Sequence, residues 1–197
     1  MARPLGICLI IASYWPGWGG AERQCRLLAR ELHRHDHEVV ILTRRRPDGP
    51  SADQVDGVIC TGVLEHVNDA EAMIYEIWRV LRPGGLAYFA VPFIQGYHPG
   101  TGTHQDFRRL THIGLQQLLS AFERLDFGVS GGPSASLAWI LREYLALLFF
   151  DGGRGYSLAY MVAGWVTCWM PALDCVLSRR DKAHRIACGF YLLGRKP

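Results

Sequence analysis

A strand–helix–strand pattern in the middle of the chain restricts the fold more than any other stretch. The apolar run at residues 58–60 is typical of a buried strand. Apolar residues then recur at helical spacing from residue 70 to residue 81, and Asn68 with Glu71 predicts a capping box at the start of this helix. A Pro-Gly-Gly turn follows, and residues 86–91 predict a second buried strand. Because a helix links the two strands, we expect a right-handed βαβ unit in a parallel sheet.

The first 46 residues predict a second unit of the same kind. Residues 6–12 and 38–43 are apolar enough for buried strands, and residues 21–34 have the apolar spacing of a helix. The loop before this helix, residues 13–20, reads SYWPGWGG. Such a glycine-rich loop at a helix N-terminus directs backbone N–H groups at an anion, often a phosphate.

The C-terminal half completes the expected sheet. Two apolar runs, residues 127–130 and 186–193, predict strands that close it. Between them, residues 131–185 are rich in Leu, Trp, Tyr and Phe and predict a hydrophobic helical insert. We therefore expect an α/β fold with a Rossmann-like, mostly parallel sheet and an antiparallel C-terminal strand.

Composition excludes several classes of protein. The 197 residues are 49% apolar and 20% charged, which excludes a disordered chain, and a net charge of +3 is too small to predict a nucleic-acid partner. The six cysteines include no Cys-x-x-Cys pair, so we expect a reducing, cytoplasmic compartment. The histidine-rich turn at residues 33–37 predicts no metal site, because imidazoles at alternate positions rarely converge without a further ligand.

Three motifs stand in a fixed order within residues 56–92. Asp56 opens the strand, Leu-Glu-His-Val follows at residues 64–67, and the helix ends in Arg-Val-Leu-Arg-Pro-Gly-Gly at residues 79–85. In these motifs the segment resembles the central part of class I S-adenosylmethionine-dependent methyltransferases of the small-molecule type. The resemblance covers about residues 53–197 and implies S-adenosylmethionine as cofactor and a small-molecule acceptor. In that family another helix and strand precede residue 58, so we expect a sheet that is one strand short.

The same resemblance implies a donor side and an acceptor side of one site. The donor would lie along the glycine loop and the ends of the two central strands, at Gly17, Gly19, Gly20, Thr61, Gly62, Val63, Glu65 and Pro92. The catalytic candidates are His66, His104, Asp106 and Arg109, the last three from a His-x-Asp-Phe-x-Arg-x-Thr pattern. Plainer interpretations remain open. His66 would shape the pocket through hydrogen bonds, and Asp106 with Arg109 would form an ion pair that braces the loop.

A different pattern occupies the start of the chain. Residues 19–23 read Gly-Gly-Ala-Glu-Arg after a first strand, and in this residues 5–45 resemble the opening of GT-B-fold glycosyltransferases. The second strand leads into Thr-Arg-Arg-Arg at residues 43–46, without a carboxylate for ribose hydroxyls. We therefore divide the chain into a glycosyltransferase-like segment, residues 1–46, a junction, residues 47–54, and a methyltransferase-like part, residues 55–197, within one structural domain.

Part of the insert is apolar enough to contact or span a membrane. Residues 156–177 are nearly apolar for the roughly 20 residues that a membrane span needs. Pro171 and Asp174 interrupt this stretch, and Arg179, Arg180 and Lys182 follow it. Three interpretations stay open: a span, a peripheral membrane contact through residues 137–178, and a buried cap over the site.

We therefore expect methyl transfer from S-adenosylmethionine to a small or lipid-linked acceptor, in the cytoplasm or at a membrane. Two alternatives remain. One is a glycosyltransferase-related binder of sugar nucleotides that uses residues 15–23. The other is a non-catalytic remnant of a fusion or truncation, since the usual acidic and glycine-rich donor motif is missing. The sequence predicts no particular oligomeric state.

Overall fold

The computed structural model describes residues 4–11, 20–42, 54–97 and 105–197. Six strands form one sheet in this part of the chain: β1 Gly6–Ile10, β2 Glu38–Leu42, β3 Val55–Thr61, β4 Leu81–Pro92, β5 Glu123–Gly131 and β6 Gly189–Arg195. The helices are α1 Gly20–Arg34, α2 Ala70–Val80, α3 His112–Leu118, α4 Pro133–Phe149, α5 Gly153–Thr167 and the single turn α6 Asp174–Leu177. Short 3-10 turns occupy Leu64–His66, Met170–Leu173 and Ala183–Arg185.

The sheet confirms the expected fold class. Its strand order is β2-β1-β3-β4-β6-β5, and β1 pairs in parallel with both β2 and β3, while β3 pairs in parallel with β4. The strand β6 is antiparallel to β4, because Lys196 N donates to Gly85 O at 2.9 Å while Tyr191 stacks on Tyr88 further along. Within the described residues no strand lies between β2 and β3, so the sheet has six strands.

The helix α2 forms as the apolar spacing predicts, but its cap was placed one residue too early. Asp69, not Asn68, is the N-cap, and its carboxylate accepts from Ala72 N at 2.8 Å. Glu71 is then one position short of the capping-box site. The end also differs from the prediction, because residues 82–85 do not form a separate turn. They are already part of β4, whose pairing with neighbouring strands outweighs the local preference of Pro-Gly-Gly.

The chain divides into two compact units. The first comprises Met1–Val91, Pro99–Phe127 and Tyr191–Pro197 and contains most of the sheet. Its core is apolar and closely packed: Phe89 and Leu81 are fully buried, and the ring of Phe89 meets that of Phe122 edge-on at 5.6 Å. Cys8 and Cys60 lie in this core, and burial raises the pKa of the Cys8 thiol to about 12 and that of Cys60 further. Both thiols are therefore neutral and pack as small apolar side chains.

The second unit comprises Pro92–His98 and Gly128–Phe190. Its main feature is a helical hairpin of α4 and α5, joined by three residues. The amino end of α4 has no side-chain cap of its own, and Gly132 is its N-cap residue. Asp174 supplies the missing acceptors, because its two carboxylate oxygens accept from Ser134 N at 2.8 Å and Ala135 N at 2.9 Å. The carboxylate thus caps a helix that starts some forty residues earlier.

The Gly-Gly pair of β4 gives a test of the first unit. A Cβ on Gly85 would lie 2.8 Å from Arg82 O and 3.2 Å from Asp56 O, whereas a Cβ on Gly84, at φ +77°, meets nothing within 4 Å. We expect Gly85→Ala to lower the free energy of unfolding by about 3 kcal/mol through this backbone clash. We expect Gly84→Ala to cost only about 1 kcal/mol, from left-handed backbone strain. Urea denaturation measures both, and equal losses would contradict the described close approach.

Candidate functional site

The sheet has a topological switch point between β1 and β3. From β1 the chain crosses through α1 to β2 on one side, and it then returns to β3 on the other side. The carboxyl ends of these parallel strands meet at one edge, where open α/β sheets bind their ligands. A cavity of about 210 Å³ lies at this edge, lined by Leu9, Ile10, Ile11, Gln24, Cys25, Leu28, Ile59 and Thr61. The first unit therefore holds a cavity where its topology predicts one.

The walls of this cavity are mainly apolar, with Gln24 and Thr61 as polar members. Such walls accept a flat or aliphatic group and leave two side chains to hydrogen-bond its edge. The sequence predicted Thr61 as a binding residue but did not predict Gln24, Cys25 or Leu28 in this role. Only their place in the chain could have identified them, because the first turns of a helix that follows β1 lie beside the carboxyl edge of the sheet.

Glu65 and His66 lie at the same edge, in the 3-10 turn that follows β3. Their side chains are only 4% and 11% exposed, and His66 Nε2 is 3.9 Å from Glu65 Oε1. His66 Nδ1 is 2.9 Å from Gln105 O. A carbonyl oxygen only accepts hydrogen bonds, so Nδ1 carries a proton. In the neutral imidazole Nε2 is then the basic nitrogen, and it faces the Glu65 carboxylate.

Residues 105–109, here called the edge segment, lie along the turn that carries Glu65 and His66. Phe107 N donates to Glu65 O at 2.7 Å, and Arg108 Nη2 donates to Asn68 O at 2.5 Å. These bonds join parts of the chain about forty residues apart. The edge segment therefore fixes the turn and positions its two ionisable side chains.

Asp106 and Arg109 form a two-pronged ion pair within the edge segment. The carboxylate is 1% exposed and the guanidinium 23% exposed. The hydrogen bond to Asp106 raises the pKa of Arg109, and the nearby charge of Glu65 raises it further. The ion pair that the sequence allowed for this loop is thus present. Of the four catalytic candidates, His66, Asp106 and Arg109 lie in one region, and His104 lies outside the described residues. Direct contact of any of them with a substrate stays a prediction.

The donor-side candidates have different positions. Thr61 lines the cavity, and Gly62 follows it at φ +65°, where its N donates to Ala90 O at 3.0 Å. Val63 is buried, so its backbone alone is available to a ligand. Pro92 ends β4 and is counted in the second unit. Gly20 is the first residue of α1, whereas Gly17 and Gly19 lie outside the described residues.

No group of three or more His, Cys, Asp or Glu side chains gathers to hold a metal ion in the part of the chain that the structure describes. In the histidine-rich turn, the His37 side chain makes a structural contact: its Nδ1 accepts a hydrogen bond from Leu5 N at 3.3 Å.

The Asp106–Arg109 pair can be tested by a double-mutant cycle. Because removal of either partner leaves a charge in a mostly buried position, Asp106→Ala and Arg109→Ala should each lower the free energy of unfolding by about 3 kcal/mol. The double variant should lose less than the sum, with a coupling of about 1–3 kcal/mol in urea denaturation. The exposed pair Glu31 and Arg34, 3.3 Å apart, is the control and should couple by less than about 0.5 kcal/mol. Equal coupling in the two cycles would contradict a bracing role.

The central part of the chain is similar to a known protein family. Residues 23–89 match a family model described as a methyltransferase domain. The match begins within α1 rather than at residue 53, ends in β4, and contains Thr61 to His66. No sequence among the curated proteins matches the chain. The resemblance of residues 5–45 to a glycosyltransferase stays a prediction.

Several methyltransferases of solved structure share this fold at low sequence identity. A SAM-dependent methyltransferase from Methanosarcina mazei is 13% identical, with a TM-score of 0.51 over 100% of this chain and 94% of that one. A putative methyltransferase from Haloferax volcanii, in complex with a methyltransferase activator, is 15% identical, with a TM-score of 0.51 over 99% of this chain and 84% of that one.

A longer enzyme extends the comparison. Phosphoethanolamine N-methyltransferase 2 from Haemonchus contortus, in complex with S-adenosyl-L-methionine, is 14% identical, with a TM-score of 0.52 over 100% of this chain. The present chain spans 50% of that enzyme's length. At these identities the likeness defines the fold. Residues 23–89 therefore match the methyltransferase-domain model, and the chain has a Rossmann-like methyltransferase fold.

Proposed function

We propose that the chain transfers a methyl group from S-adenosylmethionine to a small-molecule acceptor. One observation carries the proposal. The cavity at the switch point and the turn with Glu65 and His66 share the carboxyl edge of β3, and Thr61 to His66 lie inside the segment that matches the methyltransferase family. The neighbours of known structure that bind S-adenosylmethionine or its product support the choice of cofactor.

The residues at this edge suit such a cofactor in part. The apolar walls formed by β1, α1 and β3 would accept a flat base, and Gln24 and Thr61 would hydrogen-bond its polar edge. The positive φ of Gly62 turns the chain without a side chain that would fill the approach to Glu65. The cavity of about 210 Å³ is smaller than the roughly 300–1,000 Å³ of most small-molecule sites. Residues 12–19, which follow β1, are outside the described part.

When bound, the cofactor supplies an electrophilic methyl group on a sulfonium sulfur. The side chains of this protein would orient the acceptor and receive its proton. His66 Nδ1 donates to Gln105 O, so Nε2 is the atom that would take a proton from an amine or hydroxyl acceptor. Glu65, 3.9 Å away, would stabilise the imidazolium that results. Asp106 and Arg109 would act at one remove, by holding the edge segment against this turn.

The acceptor is proposed only as a class. A small molecule with an amine or hydroxyl group suits the proton-accepting arrangement of His66. Among the structural neighbours, the Haemonchus enzyme acts on phosphoethanolamine, as its name states. Within this class we propose a lipid-linked acceptor, because the second unit carries a large apolar surface.

Donor binding can be tested by filling the cavity. S-Adenosylhomocysteine should raise the melting temperature of the unmodified chain by about 5–10 °C at roughly a hundred times its Kd. Cys25→Phe should abolish this rise, because Cys25 lines the cavity, and Leu27→Phe, on an exposed position of the same helix, should preserve it. Uridine diphosphate should give no shift. A shift with uridine diphosphate alone would favour a sugar-nucleotide binder, and no shift with either ligand would refute donor binding.

The role of His66 can be separated from its structural hydrogen bond. His66→Asn keeps an N–H near the position of Nδ1, able to donate to Gln105 O, but removes Nε2. We expect it to retain the thermal shift with S-adenosylhomocysteine and to lose about 10²–10⁴-fold in kcat towards protonated acceptors. Transfer from methyl-labelled donor to a panel of amines and phenols measures this loss. His33→Asn, on the exposed end of α1, is the control, and an unchanged kcat in His66→Asn would refute the base.

A further inference from the structure

In the helical hairpin of the second unit, polar side chains join the two helices, while many large apolar side chains are exposed. Arg142 Nε donates to Thr167 Oγ1 at 2.8 Å, and Tyr156 donates its hydroxyl hydrogen to Glu143. These bonds join α4 to α5 through polar groups. Water-soluble helical hairpins normally place their large apolar side chains in the seam and have a polar exterior.

The outward side of α4 is an exposed apolar stripe. Its members recur at intervals of three and four residues and therefore share one face: Leu137, Ile140, Tyr144, Leu147 and Leu148. Each of them is exposed. Because Arg142 points towards α5, the polar residues of this helix do not interrupt the stripe.

The helix α5 carries a matching stripe that continues beyond its end. Leu158, Met161, Val162, Trp165, Val166 and Trp169 are all exposed and follow the same spacing. Trp165 is 79% exposed and Trp169 60% exposed. These two side chains alone present roughly 200–350 Å² to solvent, since an aromatic side chain has about 150–250 Å² of surface. The largest apolar patch on an ordinary soluble monomer is about 300–600 Å² in total.

The apolar segment meets the length requirement for a membrane span but is fastened to the second unit. Gly153–Leu177 is 25 residues long, and an 18-residue window within it has a mean hydropathy of 1.3 and is 11% buried. Pro171 interrupts it, Thr167 bonds Arg142, and Asp174 caps the amino end of α4. Insertion across a bilayer would break these bonds, so the geometry favours a position along the membrane surface.

A basic cluster directly follows the apolar segment. Arg179, Arg180, Lys182 and Arg185 are exposed, and Asp181 is the only acidic residue among residues 178–185. Cations at the border of an apolar surface complement anionic lipid headgroups. A second copy of the chain on this surface would instead bring a cluster of the same charge.

We propose that the exposed face of α4 and α5 docks on the surface of an anionic lipid bilayer. The apolar stripes enter the headgroup region, the two tryptophans lie at the polar–apolar boundary, and the basic cluster contacts the headgroups. This role is independent of methyl transfer, although it would place a lipid-linked acceptor close to the enzyme.

Sedimentation of the full chain with vesicles tests the docking. We expect binding to phosphatidylcholine vesicles that contain phosphatidylglycerol, and at least about tenfold weaker binding to pure phosphatidylcholine. Trp165→Ser with Trp169→Ser should weaken binding at least about tenfold, because it removes inserted apolar surface. Tyr75→Ser is the matched control, since Tyr75 is a 64%-exposed aromatic residue of the first unit, and it should bind as the unmodified chain does.

A second variant tests the charge contribution. The triple change of Arg179, Arg180 and Lys182 to Gln should reduce binding to the anionic vesicles between about tenfold and a hundredfold. Arg23→Gln with Arg30→Gln, on exposed positions of α1, should have little effect. Circular dichroism confirms that each variant is folded. Quenching of tryptophan fluorescence by brominated lipid gives an independent measure in the unmodified chain, and the tryptophan variant should lose it.

Three results would overturn the proposal. The first is no binding to either kind of vesicle. The second is binding that the tryptophan variant leaves unchanged. The third is concentration-dependent dimerisation through this face without vesicle binding, which would assign it to a second copy. The thermal shift with S-adenosylhomocysteine is measured separately, so a failure of docking is distinguishable from a failure of donor binding.

Discussion

The parallel pairing of β3 between β1 and β4 is the constraint on which the site depends. Cys8 lies opposite Val58, Ile10 opposite Cys60, and Thr61 opposite Ala90. This register brings the carboxyl ends of the strands to one edge and leaves the cavity beside β1. Asp56 secures the opposite edge, because its carboxylate accepts from Gly6 N at 2.7 Å and from Arg82 Nη1 at 2.9 Å. One carboxylate therefore ties three strands at the edge remote from the candidate site.

Much of the sheet was predictable because its determinants are local. The apolar spacing of α2, the strands on either side of it and the Thr111 cap of α3, which accepts from Gly114 N at 3.0 Å, follow from short-range patterns. The errors arose where tertiary pairing outweighs local chemistry. Residues 82–85 extend β4 rather than form a turn, since Gly84 and Gly85 bond to Lys196, the residue after β6.

The candidate site was predictable only in part, because its geometry depends on contacts between distant residues. The motif placed Glu65 and His66 at the ligand edge, but the proton position on His66 depends on Gln105, 39 residues away. Gln24 lines the cavity through the packing of α1 on the sheet, which no local pattern specifies. In the second unit, the sequence showed Arg142 and Glu143 within an apolar helix but not that both turn towards α5.

The remote cap of α4 has a consequence for biosynthesis. The N–H groups at the amino end of this helix donate to the Asp174 carboxylate, and Asp174 leaves the ribosome about forty residues later. Until then Ser134 N and Ala135 N are hydrated, and a nascent α4 has an apolar exterior with no completed partner. The hairpin is thus expected to mature in one late, cooperative step, and until that step the exposed apolar side chains of α4 favour aggregation.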